Sequence, residues 1–278
     1  HARWCERTGA SRPLLLDSGL CKTVYQTLRA GESCRTMEVS AGCRPARTPK
    51  CDGTTPGKEA CRMDAAEQDR VAEQDRLEWE RKLWEEGLTL VAGVDEAGRG
   101  CLFGDVVAAA VVFAPYRVPE EVTDSKKLTP KKREELYEAI ISSALAWAVG
   151  RVDAATVDRI NIRQAARLAM KRAVENLGLT PQHLLVDAET VPIDVPQTPI
   201  VKGDARSRTI GAASIVAKVT RDRLCEREWE ALYPGYGIAS HKGYATREHV
   251  RALLELGPTP LHRKTFIRGI LAEQQTLF

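Results

Sequence analysis

The sequence predicts an α/β fold, a mixed central sheet with helices on both faces. Three observations predict it. Two short Val- and Ala-rich runs, 88–94 and 106–113, are bounded by Gly and joined by a link too short for a helix, so they read as a hairpin of buried strands. Further short apolar runs alternate with stretches of helical spacing further on. Those stretches carry recognisable start and stop residues. The resulting order, β-β-(β)-α-β-α-β-β-α-α with the bracketed strand optional, belongs to a sheet covered on both sides.

Residues 1–62 stand apart. They are rich in Cys, Arg, Gly, Thr and Pro and show no apolar periodicity. Six of the eight cysteines lie there, none paired as C-x-x-C. That spacing does not suit a zinc module or call for a disulfide framework, and the segment is expected to be disordered. Met63 stands just before a clean helical pattern, so it is the expected start of translation, with 1–62 as upstream sequence. Residues 63–87 read as one helix. Asp64 and Glu67 resemble a capping box, and Gly87 is the stop. Leu77, Trp79, Leu83 and Trp84 would dock its end on the body, and its polar first half would project.

After the hairpin, Thr129 is an N-cap and Pro130 occupies the first helical position, giving a helix to about Ala144. A strand follows over 147–153, then a helix over 154–177. The run 183–186 is a strand ending on Asp187, and 199–201 is a short extended piece leading to Lys202-Gly203-Asp204. A long helix is expected over 210–230. Another is expected over 247–256, with Thr246 as cap and Gly257 as stop. The catalytic domain is placed at 88–270, with a tail over 271–278.

Composition narrows the function. The chain has 278 residues, 28% charged and 43% hydrophobic, with a net charge of +3. Any nucleic-acid affinity must therefore come from local basic patches. There is no run of about 18 apolar residues and no basic-then-apolar leader, so a cytoplasmic location is expected.

Four acids carry the chemistry. Asp95 and Glu96 end the first strand of the hairpin, Asp187 ends a later strand, and Asp204 precedes the long helix. Adjacent strand residues point to opposite faces, so a strand end or bulge must re-aim one of the first pair if both serve one site. Carboxylates gathered at one sheet edge raise one another's pKa. Two Mg²⁺ ions about 4 Å apart would offset that charge and clamp a phosphodiester. Read singly, Asp187 fits a turn and Asp204 a helix cap. Basic residues lie near glycine-containing turns, Lys126, Lys127, Lys131, Lys132, Arg206, Arg208, Lys218, His241, Lys242, Arg263 and Lys264 among them. They suit phosphates, although Lys131 and Lys132 equally suit a solvated helix start. Tyr244, in a polar loop, fits either stacking on a sugar or base or plain loop packing.

These residues sit in motifs that strongly resemble bacterial ribonuclease HII over about 88–269. The motifs are G-V-D-E-A-G-R-G, D-S-K-K-L, L-L-V-D, K-G-D followed by A-A-S-I-V-A-K-V-T-R-D, and Y-P-G-Y-G-I-A-S-H-K-G-Y. The resemblance implies an RNase H-like fold and Mg²⁺- or Mn²⁺-dependent hydrolysis of RNA in RNA/DNA hybrids. It also implies incision 5′ to single ribonucleotides in duplex DNA, leaving 3′-hydroxyl and 5′-phosphate ends, by a protein acting as a monomer. On that likeness Asp95, Glu96, Asp187 and Asp204 form the metal-binding catalytic set. Gly98, Arg99 and Gly100 sense the ribose 2′-hydroxyl, mostly through backbone groups, and Tyr244 stacks on the sugar. Ser125, Lys126, Ser214 and Lys218 hold phosphates. One departure stands out. The family's P-L-A-G-P is here Cys101-Leu102-Phe103-Gly104-Asp105, which puts the stiffness of the sensing loop in question. The G-R-G form also separates this chain from the type HIII pattern.

The last five residues resemble the bacterial sliding-clamp pentapeptide, with Gln274 as a hydrogen-bonding anchor and Leu277 and Phe278 for an apolar pocket. A non-catalytic hybrid-binding protein on the same fold is the alternative function, and the presence of all four acids argues against it. A nucleotide cradle is excluded, since neither G-x-G-x-x-G before a helix nor a P-loop lysine is present.

Overall fold

The computed structural model describes residues 76–122, 125 and 128–275. Expectations for 1–75, for Lys126 and Lys127, and for the side chains of Gln274, Leu277 and Phe278 lie outside the described residues.

Five strands form one sheet: β1 (Val91–Ala97), β2 (Val106–Val112), β3 (Ala146–Val152), β4 (His183–Asp187) and β5 (Gln197–Ile200). Their order is β3-β2-β1-β4-β5. The first three pair antiparallel, while β4 joins β1 and β5 joins β4 in parallel. The sheet is mixed, as the sequence predicts. No further strand lies among the described residues between β2 and the next helix. All seven residues of β2 are buried, because both faces of the sheet are covered. Ala109 and Val111 pack in one core layer, Ala108, Ala110 and Val112 in the other.

The described part of the first helix is α1 (Glu78–Glu85), with Gly87 at φ +86° just beyond it. Trp84 is buried, and Leu77, Trp79 and Leu83 pack against the same core layer. Next comes α2 (Pro130–Ser143), where Thr129 accepts the backbone N–H of Lys132. The single helix expected over 154–177 is two, α3 (Ala154–Ile160) and α4 (Ile162–Glu175). Asn161 sits between them at φ +66° and accepts from the N–H groups of Arg163 and Gln164. Asparagine tolerates the left-handed region and caps well, so it restarts the helix in a new direction.

After α5 (Gly203–Arg206), the long helix α6 (Arg208–Arg223) starts two residues earlier than expected, capped by Ser207. It continues as a π-helical turn, Leu224–Trp229, and α7 (Glu230–Leu232). Short α8 (Ile238–His241) precedes α9 (Arg247–Leu256), which has the expected Thr246 cap and Gly257 end. The last helix, α10 (Lys264–Gln275), runs into the segment expected as a tail from residue 271. Most of α6 is buried. A Cβ on Gly93 of β1 would lie 2.3 Å from the Thr209 backbone. Glycine lets this helix lie directly on the sheet beneath the candidate site.

Candidate active site

The site forms where the parallel pairing of β1 with β4 stops. Val94 pairs with Val186, so the next residues, Asp95 and Asp187, are neighbours at the C-terminal ends of two parallel strands. Ligands of α/β sheets gather at such strand ends. The register of β1 against β2 is continuous through Asp95 and Glu96. No bulge re-aims either carboxylate; the pair lies on opposite faces of β1, just past its last pair with β4, and the charge of Asp187 reaches both.

Asp95 is buried. Its carboxyl is pushed well above the ordinary carboxylate range, first by burial, then by the charges of Glu96 and Asp187. The Ser214 hydroxyl on α6 hydrogen-bonds to it and works in the opposite direction. Ser125 and Ser214 are also joined, oxygen to oxygen at 2.8 Å. A serine hydroxyl has one proton. Ser214 donates its proton to Asp95, so Ser125 is the donor to Ser214. Both serines are buried and together order the carboxylate.

Glu96 is also raised, chiefly by burial, with Arg99 pulling down. Arg99 donates to Glu96 Oε1 at 3.0 Å and reaches Glu189 at 4.0 Å. The other oxygen, Oε2, is buried with no hydrogen-bond partner among the described residues. Asp187 Oδ1 accepts the backbone N–H of Gly203 at 2.6 Å. Asp204, next in the chain, is buried, and its carbonyl is held by Arg76 at 2.8 Å. An orphaned carboxylate oxygen and acids raised by burial and, behind it, by one another's charge form a hard-oxygen donor set of the kind divalent cations take. The residues present therefore fit such an ion. Among the described residues, no three His, Cys, Asp or Glu enclose a ready-made metal cage.

The glycine turn and the Tyr244 loop adjoin this edge. Gly98 has φ +92°, and a Cβ there would lie 2.2 Å from Arg221 Nε. Gly100 would carry a Cβ 4.0 Å from the Tyr244 ring, and Leu102 N–H donates to Gly243 O at 2.9 Å. Tyr244 is 43% exposed. Lys218, paired with Asp222 at 2.7 Å, lies 5.9 Å from the Tyr244 ring.

Two buried arginines brace both loops. Arg263 donates to Gly104 O and, at 2.9 Å, to Arg99 O. Arg221 donates to the carbonyls of Asp105, Phe103 and Lys242. Arg263 is completely buried and His241 is 8% exposed, which corrects their reading as phosphate-facing groups. The substituted segment 101–105 is not slack. Phe103 is fully buried with its ring edge-on to Trp229 and His262, and Asp105 pairs with Arg151 at 3.0 Å. Sequence reading gave no role to Arg221, His249 or His262; each sits among other charged or polar residues (Thr220 and Asp222, Arg247 and Glu248, Arg263 and Lys264), so no local signal sets it apart.

Fold and site together define a ribonuclease H-like protein. The same architecture occurs in the solved ribonuclease H2 of Pyrococcus horikoshii OT3, at TM-score 0.57 and 28% identity, over 66% of this chain and 97% of that one. It occurs also in RNase HII of Archaeoglobus fulgidus, solved in complex with PCNA, at TM-score 0.54 and 28% identity, over 63% and 93%. The family model Ribonuclease HII matches residues 92–269. Ribonuclease HII of Alkaliphilus metalliredigens is 56% identical over 203 residues, 71% of this chain and 99% of the relative. That of Ligilactobacillus salivarius is 48% identical over 205 residues, 74% and 80%. The chain belongs to the ribonuclease HII family.

Proposed function

We propose that the chain is a metal-dependent endonuclease that hydrolyses the RNA strand of RNA/DNA hybrids and incises 5′ to single ribonucleotides in duplex DNA. The observation that carries it is the Asp95–Asp187 juxtaposition with Glu96 beside it and Asp204 tied on through Gly203. Asp95, Glu96, Asp187 and Asp204 would hold two Mg²⁺ or Mn²⁺ ions. Bound there, the ions would supply an activated water and charge neutralisation at the leaving oxygen. The protein's own contribution is placement. Ser214, oriented by Ser125, fixes the Asp95 carboxylate. Arg99 balances Glu96 until substrate arrives. Backbone groups of Gly98–Gly100 face the ribose 2′-hydroxyl, the feature that separates RNA from DNA. Tyr244 stacks on the adjoining sugar, with Lys218 and Lys126 near the phosphates.

The products would carry 3′-hydroxyl and 5′-phosphate ends, and the protein would act as a cytoplasmic monomer. No helix among the described residues is long and apolar enough to cross a membrane. Gln274, Leu277 and Phe278 would engage a sliding clamp; the solved Archaeoglobus RNase HII in complex with PCNA supports that reading.

The test is cleavage of duplex DNA containing one ribonucleotide, with and without Mg²⁺. Asp95→Asn and Asp187→Asn are expected to keep hybrid binding and to lose cleavage at least 10³-fold, an order-of-magnitude figure for losing preorganised charge. Unchanged turnover in either variant removes the two-metal reading.

A further inference from the structure

Behind the Tyr244 loop lie three buried histidines. His249 and His262 are 0% and 1% exposed. His241 and His249 stack with ring centroids 4.3 Å apart, and Phe103 closes the cluster against His262 at 4.9 Å. Their hydrogen bonds determine every tautomer. The Thr259 backbone N–H donates to His262 Nδ1 at 3.0 Å, so that nitrogen carries no proton. His262 Nε2–H must then donate to His249 Nε2, 3.2 Å away. His249 is thereby left with its proton on Nδ1, which donates to the Tyr244 carbonyl at 2.9 Å. His241 follows the same logic: its Nδ1 accepts from Gly243 N–H at 3.2 Å, and its Nε2–H donates to Tyr236 O at 2.8 Å.

We infer that His249 and His262 are positioning residues for Tyr244: neutral imidazoles form a directional hydrogen-bond relay from Thr259 in the 257–263 loop to the Tyr244 carbonyl. The relay fixes both sides of the loop, since His241 holds Gly243 while His249 holds Tyr244. A ring rotated or protonated at any step would set donor against donor, either Thr259 N–H against His262 or His262 against His249. An unpaired buried polar group is costly, so the network admits one arrangement, and Tyr244 inherits that precision. Arg221 and Arg263 clamp the facing loop from below, so the gap between Gly100 and Tyr244 is set from two sides. A displacement of about 1 Å at a substrate-positioning group costs orders of magnitude in rate.

The inference rests on the reading of Tyr244 as a sugar contact, and its test separates the two. Asparagine places an amide N–H where His Nδ1–H stood, so His249→Asn keeps the bond to Tyr244 O; His249→Leu removes it. On a single-ribonucleotide duplex, His249→Leu is expected to raise KM about tenfold, the equivalent of one lost hydrogen bond. His249→Asn should stay within about twofold by the same conversion. Imidazole nitrogen NMR shifts of the full-length wild type should show His249 as the Nδ1–H tautomer and His262 as Nε2–H. The opposite tautomers, or a folded His249→Leu with unchanged KM, would overturn the relay. If His249→Leu does not fold, the NMR tautomers and His262→Gln against His262→Leu decide in its place; equal KM in that pair also overturns it. Tyr244→Ala with unchanged KM would instead remove the sugar contact, and the positioning role with it, while the tautomers would still report the relay itself.

Discussion

Asp187 Oδ1 accepts the backbone N–H of Gly203 at 2.6 Å. This bond ties the end of β4 to the turn that delivers Asp204, two acids separated by the β4–β5 connection and by β5 itself. It also explains why the turn begins with a left-handed Lys202, φ +56°: the chain must double back to present the Gly203 N–H to the carboxylate.

Gly203→Ala tests that joint. The added Cβ would come 2.6 Å from Ile210 Cδ1 and 3.3 Å from Asp187 Oδ1. Crowding of this kind costs about 1–3 kcal/mol. Urea unfolding should report that loss, and cleavage should fall further than the folded fraction does, because Asp187 and Asp204 move apart. Wild-type stability together with wild-type rate would show that the joint is slack.

Arg263→Lys should destabilise although charge is kept. The guanidinium serves two carbonyls, Gly104 O and Arg99 O, through a planar fork that an ammonium cannot reproduce. At least one carbonyl would be left unpaired, at about 1–3 kcal/mol. Thermal denaturation measures it, and a variant as stable as the wild type would refute the clamp.

Glu80, on α1 outside the stretch matched by the family model, is fully buried. Its Oε1 accepts from Ser207 Oγ at 2.6 Å and from Thr209 N–H at 3.0 Å, so α1 caps the start of α6. Glu80→Ala should cost about 1–2 kcal/mol, as loss of a helix cap does. Glu80→Gln, which retains an oxygen toward both donors, should cost less; the reverse order in denaturant midpoints would count against the cap.

Stability should fall in mild acid because of the histidine cluster. Burial, and for His262 the adjoining His249, lowers both rings; His262 is brought to about 4 from its usual 6.5. The unfolded chain therefore binds protons between about pH 6.5 and 4 that the folded chain refuses, so stability is lost as pH drops through that window. His262 alone accounts for about 2 kcal/mol by pH 5. The difference in unfolding free energy between pH 7 and pH 5 should shrink in His262→Gln. An equal pH dependence would place the titration elsewhere.

Local signals made much of this protein legible from its residues alone. Thr129 and Pro130 start α2, Thr246 and Gly257 bound α9, and apolar runs locate all five strands, because caps and periodicity act within a few residues. The four acids were legible too, each at the end of an extended run or beside a glycine turn. Tertiary structure decided what depends on partners distant in the chain. Parallel pairing of β1 with β4, which brings Asp95 to Asp187, joins segments some ninety residues apart. Whether Arg263 faces phosphate or braces a loop turns on burial, which no local pattern encodes, and the bond from Ser214 to Asp95 exists only because α6 lies against β1. A helix cap is written in its own neighbourhood; the environment of a side chain is written by the whole chain folding around it.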